Sequence, residues 1–470
     1  MIKKHLEKLF QDNLEHEPTQ GQQELIALMS EFILKKEDRS ALLIKGYAGT
    51  GKTTILASLV KVLTELNINT ILMAPTGRAA KVLSMYAESE ASTIHKAIYR
   101  QKSAKDAMSQ FVLGKNFFSN TVFIVDEASM IPDVATENAF FGSGNLLRDL
   151  ISYVYNDKNC KLILSGDTAQ LPPVGMSLSN AMSAGILSGY NLRVDEYELK
   201  EVVRQTLNSG ILSNATTIRN VISERKSEFP KIKTGKKIKD ITCIKGSEVM
   251  DFLQEFYSKY GLEQSMVICR SNRIANKYNE MIRNRILGRE EEVSSGDYLM
   301  VVKNNYHWLE AEGIDFIANG DIVKVKRLKK FEELYGHRFA TLDLALPDYH
   351  DLEFTAKVNL DTLRLETASL GNEENLKLYH SIAEDYITEK SKAKIAEKVR
   401  EDSYFNALQI KYAYAVTCHK AQGGQWPVVF VDQSFFKDDM LNIEYLRWLY
   451  TAFTRATEHL VLVNFNEKFF

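Results

Sequence analysis

The sequence predicts an α/β protein built on parallel sheets, and three stretches carry that prediction. Gly46-Tyr47-Ala48-Gly49-Thr50-Gly51-Lys52-Thr53 fits the pattern GxxxxGK[ST], with an apolar run at 41–44 leading in and helical periodicity over 54–63 leading out. The buried-type run 121–125 ends in Asp126-Glu127, and the run 161–165 ends in Gly166-Asp167-Thr168-Ala169-Gln170. Apolar strands that alternate with polar turns and helices form parallel sheets, whose carboxyl edge gathers the ligand-binding turns.

The glycine loop defines the first chemistry. Without Cβ atoms in the way, its backbone N–H groups at Gly46, Ala48, Gly49, Thr50, Gly51, Lys52, Thr53 and Thr54 can converge on phosphate oxygens. The helix that starts near Lys52 turns its positive end to the same anion. Lys52 is expected to reach the β- and γ-phosphates of ATP and the Thr53 hydroxyl to ligate Mg²⁺. Asp126 would hold the metal through its water shell, and Glu127 would polarise the attacking water. Gln170, in a turn stiffened by Pro172 and Pro173, is placed to sense the γ-phosphate, and Arg204 offers a charge that can reach it. Gln22 sits before the glycine loop, where its amide either reads an adenine edge or lies solvated on the surface.

Composition bounds the rest. A chain of 470 residues holds two or three domains, and 45% hydrophobic with 26% charged residues is ordinary for a globular protein. A net charge of −2 does not announce a polyanion, so any such site is a local concentration of Lys and Arg. Between 219 and 239 there are eight Lys or Arg against two Glu, read first as a solvated loop and second as a phosphate-tracking surface. Cys160, Cys243, Cys269 and Cys418 are dispersed without a CxxC pair, against a disulfide scaffold or zinc site. The amino-terminal residues are too polar for a signal peptide and no apolar run approaches a membrane span, so a cytoplasmic protein without a membrane partner is expected.

Four further stretches organise the chain. The run 70–74 ends in Pro75-Thr76-Gly77-Arg78, and Ser92-Thr93-Ile94-His95-Lys96 follows, readable alone as a helix cap. Residues 97–120 break the alternation with an inserted hairpin carrying aromatics, or else an incidental loop. Residues 294–405 change character: alternation with turns at Gly296-Asp297 and Asn319-Gly320-Asp321 predicts a small antiparallel barrel, and 373–403 a helical protrusion. The strand pattern resumes from 411, through Thr417-Cys418-His419-Lys420-Ala421-Gln422-Gly423-Gly424-Gln425-Trp426, to a closing strand at 460–463.

The motif series GYAGTGKT, APTGRAAK, STIHK, VDEAS, GDTAQLPPV, LKEVVRQ, TCHKAQGGQW and YTAFTRA resembles, in order and over nearly the whole chain, the superfamily 1 helicases of the Dda/RecD-like branch. The resemblance implies two RecA-like domains with ATP between them, at 1–205 and at 206–293 with 406–470, and an SH3-like barrel at 294–405. It places a strand-separating pin at 97–120. It implies that Arg455 crosses the cleft to the γ-phosphate and that Gly424 and Gln425 line the nucleotide. Gln425 stands where the family often carries a Glu. It further implies a single-stranded DNA track over Pro75, Thr76, His95, Lys96, Asn304, Thr417, His419 and Lys420. The activity it implies is 5′-to-3′ DNA unwinding by a monomer at forks, with a single-stranded-DNA-binding protein as a further partner. A translocase that strips proteins, a nucleotide-gated subunit of a nuclease or repair complex, and an RNA helicase are the alternatives.

Overall fold

The structure is a computed structural model that describes all residues except 1, 15, 102–110, 134–140, 157–158, 204–208, 236–237, 306, 310–316 and 390. Arg204 and the tip of the expected pin therefore lie outside the described residues. A six-stranded parallel sheet forms the first domain, in the spatial order Ala91–Thr93, Asn69–Ala74, Thr121–Val125, Lys161–Gly166, Ser40–Gly46 and Arg193–Leu199. Ser40–Gly46 and Thr121–Val125 are almost wholly buried, which is why they read as continuous apolar runs. One face packs under Leu25, Phe32, Leu56 and Leu59, the other under Leu147, Leu150 and Val154. Thr19 caps the helix Gln20–Leu34 in a capping box with Gln22.

The second sheet is also parallel, in the order Ala415–Thr417, Ser265–Cys269, Trp426–Asp432, Ala456–Val463 and Ile241–Ile244. Between Ser265–Cys269 and Ala415–Thr417 the chain leaves to build a closed barrel of Tyr298–Val301, Ile322–Leu334, His337–Leu346, Leu352–Asn359 and Leu408–Tyr412. The last of these lies beyond residue 405, and Lys411 and Tyr412, read from sequence as resuming the second sheet, pair in the barrel instead. Two short buried strands separated only by Ala413 and Tyr414 look like one run, and only their pairing partners divide them. The helices Asn372–Asp385 and Lys392–Glu401 pack on the barrel through Leu378, Ile382 and Val399 around Phe339. The hairpin arms Tyr99–Gln101 and Phe111–Leu113 pair antiparallel on the first domain.

Barrel and second domain share one core, and a buried charge cluster fixes the joint. Asp297, fully buried, accepts from Arg283 Nη2 at 2.9 Å, Arg289 Nη1 at 2.6 Å and the Tyr414 hydroxyl at 2.7 Å. Burial opposes its charge, but hydrogen bonds from Arg283, the Ser294 N–H and Tyr414 hold it below the usual carboxylate range. Asp297→Ala leaves Arg283 buried without its partner, so about 3–5 kcal/mol of stability should be lost in urea unfolding. A loss under 1 kcal/mol would mean the joint is held by packing alone.

Three residues of the basic stretch at 219–239 have side-chain partners in the fold. Arg219 lies over the Tyr47 ring at 4.4 Å, Lys226 pairs with Glu224, and Lys231 donates to the carbonyls of Lys468 and Phe470. No helix among the described residues is long and apolar enough to cross a membrane.

Candidate functional site

The glycine loop joins Ser40–Gly46 to the helix Lys52–Glu65, with Gly49 at φ 75° and Gly51 at φ 79°, where a side chain would be strained. A Cβ on Gly46 would come within 2.9 Å of Lys52, so this glycine is the bed for the lysine stem. Lys52 Nζ donates to Gly46 O at 2.6 Å and Tyr47 O at 3.1 Å. Gln22, placed on the nucleotide by sequence, has its amide engaged at both ends: Nε2 donates to Thr50 O at 3.0 Å and Oε1 accepts the Thr19 N–H at 3.0 Å. It braces the loop. Thr54 is exposed at the start of the helix.

Asp126 and Glu127 leave the neighbouring strand beside this loop. Asp126 Oδ2 lies 3.5 Å from Thr53 Oγ1, and its Oδ1 accepts from Ser165 Oγ at 2.9 Å and the Glu127 N–H at 2.9 Å. Glu127 has φ 52°, a left-handed conformation uncommon outside glycine and frequent at functional sites. Burial raises its pKa, opposed by the charge of Arg455, and Gln170 donates to its carboxylate. Glu127 Oε2 and Gln170 Oε1 are buried without hydrogen-bond partners among the described residues. Two polar oxygens so placed are costly unless something binds them, as a water or phosphate oxygen would.

Arg455 arrives from the other domain. Its guanidinium is 4.0 Å from Glu127 Oε1, and it is aimed by Thr451 O, Gly424 O and Thr454 Oγ1 at 3.1–3.2 Å. Gly424 thus positions the arginine, while Gln425 is exposed. Sequence reasoning missed Tyr450. Its hydroxyl accepts the Ala48 N–H at 2.8 Å and donates to Asp167 Oδ2 at 2.7 Å, tying the glycine loop, the GDTAQ turn and the second domain to one buried atom. Burial pushes both the Tyr450 hydroxyl and the Asp167 carboxyl upward. The signal was present in YTAFTRA, but a tyrosine five residues before an arginine has no meaning until the helix Ile443–Phe453 is docked.

The residues placed on the nucleic-acid track divide. Thr76 caps the helix Gly77–Ala87 through the Ala79 N–H, and a Cβ on Gly423 would approach Thr76 Oγ1 to 3.0 Å, so the turns after Pro75 and after Thr417 meet across the two domains. Arg78 lies over the Trp426 ring at 4.0 Å in the same contact. His419 is exposed there. Lys420 Nζ is buried without a partner among the described residues, and burial, then Lys411, brings its pKa to about 8. Asn304 Oδ1 accepts the Asn319 N–H at 2.6 Å and belongs to the barrel turn. His95 goes elsewhere: its ring packs 4.8 Å from Phe141 and 5.7 Å from Tyr99 at the root of the hairpin. Burial lowers its pKa to about 4, so it is neutral and offers no cation to a phosphate. Lys96 follows it on the short helix Ile94–Ile98, half-buried.

The barrel closes over the same turn. Lys81 pairs with Asp348 at 2.7 Å, and a Cβ on Gly77 would come within 2.5 Å of Asp321 Oδ1, an oxygen buried without a partner among the described residues. Burial raises the Asp321 carboxyl to about 7, against the hydrogen bond from the Ala318 N–H. Because this is above the unfolded value of about 3.9, the folded state holds the proton more tightly. The contribution is complete below about pH 4 and is lost as pH rises through about 7. Asp321→Asn should therefore be more stable than the natural chain by about 2–4 kcal/mol near pH 8 and equal to it near pH 4. Parallel unfolding curves at the two pH values test this, and no pH-dependent gap would refute it.

These features define a class: a P-loop nucleotide hydrolase of two RecA-like domains, with the basic residue of one aimed at the acid of the other. The AAA domain family model matches residues 19–229, and the UvrD-like helicase C-terminal domain model matches 412–463. The ATP-dependent DNA helicase Dda of Enterobacteria phage T4 is 25% identical over 89% of this chain and 91% of its own. An uncharacterized protein of Acanthamoeba polyphaga mimivirus is 26% identical over 92% and 96%. A crystal structure of Pif1 helicase from Bacteroides in complex with ADP-AlF3 and single-stranded DNA aligns with TM-score 0.47 and 18% identity, over 97% of this chain and 94% of that one. The family models and these relatives support a superfamily 1 helicase of the Dda/RecD-like kind.

Proposed function

We propose that this chain is an ATP-dependent DNA helicase that moves 5′ to 3′ along single-stranded DNA and opens duplex at forks. The observation that carries the reading is the cross-cleft set: Arg455 stands 4.0 Å from Glu127, and Tyr450 bonds the glycine loop, all from opposite domains. A hydrolytic site assembled from two domains links each turnover to their relative motion, which is what a motor on a polymer requires.

The chain's own groups divide the work. The glycine-loop N–H groups and Lys52 bind and neutralise phosphate oxygens. Glu127, its pKa raised by burial, takes a proton from the attacking water, which Gln170 orients. Arg455 and Arg204 balance charge that spreads over the transferring phosphoryl group. Thr53 Oγ1 and Asp126 Oδ2 form a hard-oxygen pair 3.5 Å apart that fits Mg²⁺, the ion that would shield the β- and γ-phosphates. The turns at Thr76 and Thr417–Lys420 carry the strand by its phosphates, tolerant of sequence. The reading includes a monomer acting in the cytoplasm, with a single-stranded-DNA-binding protein as a partner.

The test is ATP hydrolysis with and without single-stranded DNA, joined to unwinding of duplexes with a 5′ or a 3′ tail. Strong stimulation with opening from the 5′ tail alone is expected. Stimulation without opening would replace the helicase by a protein-stripping translocase, and hydrolysis indifferent to DNA would remove the track.

A further inference from the structure

The arginine that crosses the cleft is held by a segment whose other side packs on the first domain. Gly424 O accepts from Arg455 Nη1 at 3.2 Å, and two residues on, the Trp426 N–H donates to Arg455 O at 2.9 Å. Side chain and backbone of Arg455 therefore both follow the placement of residues 424–426. Those residues are seated on the first turn of the helix Gly77–Ala87. A Cβ on Gly423 would come within 2.7 Å of Ala79 Cβ and 3.0 Å of Thr76 Oγ1. One on Gly424 would come within 2.9 Å of Arg78 Cδ and Nε and 2.5 Å of the Trp426 ring. Neither glycine has room for a side chain, and close packing of this kind passes a shift of one surface to the other.

Arg78 closes this contact. Its guanidinium lies over the buried Trp426 ring at 4.0 Å. Burial lowers the Arg78 pKa, opposed by the charges of Asp348 and Glu263. Both carboxylates are engaged elsewhere, Asp348 with Lys81 at 2.7 Å and Glu263 with Lys324 at 3.6 Å. The indole face is what this cation rests on, in an attraction that strengthens where water is excluded. Thr76, two residues before Arg78, caps the same helical turn by accepting the Ala79 N–H at 3.2 Å.

We propose that Arg78 is a positioning residue for ATP hydrolysis. Stacked on Trp426 and packed on Gly424, it passes the placement of the Thr76 turn to the two backbone groups that hold Arg455. It thereby sets how the Arg455 guanidinium, 4.0 Å from Glu127, approaches the reacting phosphate. A strand seated on the Thr76 turn fixes that turn, and Arg78 is the route by which the strand raises turnover. This role rests on the strand track of the proposed function and adds a residue that touches neither strand nor nucleotide.

The test compares the natural chain with Arg78→Met, which keeps an apolar stem against Gly424 and the ring but removes the charge, and with Arg78→Lys, which keeps the charge. Turnover is measured without DNA and at saturating oligodeoxythymidine, together with the KM for ATP and thermal unfolding. DNA affinity is read by fluorescence anisotropy at several salt concentrations. Arg78→Met should lower DNA-stimulated turnover by about 10–100-fold, the scale of a misplaced catalytic group, and basal turnover far less. KM, DNA affinity and the unfolding midpoint should stay as in the natural chain. Arg78→Lys should recover most of the stimulation. Full stimulation in Arg78→Met would overturn the role. Weaker DNA binding with a salt slope shallower by about 0.7, and full stimulation once DNA saturates, would make Arg78 a phosphate ligand and overturn it as well. A natural chain whose turnover ignores DNA would remove the strand track itself and the coupling with it.

Discussion

Arg455→Ala is expected to reduce ATP turnover by roughly 10³–10⁵-fold while nucleotide affinity changes little. The guanidinium belongs to the second domain and is held by Thr451 O, Gly424 O and Thr454 Oγ1 rather than by any group of the glycine loop. Its removal therefore leaves the phosphate cradle in place and takes away charge needed when the phosphoryl group transfers. It also leaves Glu127, 4.0 Å away, with less to oppose its raised pKa, so the activity that remains should rise at higher pH than in the natural chain. Single-turnover hydrolysis and binding of a fluorescent nucleotide separate the two quantities. A large loss of affinity with turnover unchanged would contradict the assignment.

Lys52→Ala should remove hydrolysis by about 10³-fold or more, because a positive charge aimed at the developing negative charge is lost. Lys52 Nζ donates to the carbonyls of Gly46 and Tyr47, and Lys52 and Tyr47 are only half-buried, so water can enter the space that the side chain leaves. Folding should accordingly survive, with the unfolding midpoint near that of the natural chain. Turnover like that of the natural chain would remove the phosphate-cradle argument. Tyr450 provides a control between these two variants. Tyr450→Phe breaks the bond to the Ala48 N–H and strips a partner from buried Asp167, while Lys52 and Arg455 keep their own contacts.

The parallel-sheet class, the glycine loop and the acidic pair were legible because each is a local statement. A loop that cradles phosphate needs glycines and a lysine at fixed spacing, and a fully buried strand needs an unbroken apolar run. The hairpin arms and the barrel were legible in kind for the same reason, through aromatic and alternating patterns. The barrel's last strand was not, because Leu408–Tyr412 and Ala415–Thr417 have the same local character and differ only in which strands they meet.

Single residues diverged further from their sequence reading. His95 lies in a motif placed on the track, but the fold sends its ring to Phe141, distant in sequence. Gln22 carries donors and an acceptor, as a base reader needs, and in the fold one N–H already bonds Thr50 and the oxygen already bonds Thr19. The joint at Asp297 draws Arg283 and Arg289 from the stretch just before it and Tyr414 from 117 residues further on, and none of the three partners stands out in composition.

The sequence by itself determined the chemistry that neighbours along the chain can specify: the phosphate loop, the strand-borne carboxylates and the alternation that makes parallel sheets. The tertiary structure alone decided that Arg455 faces Glu127 and that Tyr450 bonds Ala48. The physical reason is range. Propensity and hydrogen-bonding patterns act over a few residues, whereas burial and ion pairing depend on which distant surfaces the folded core brings together.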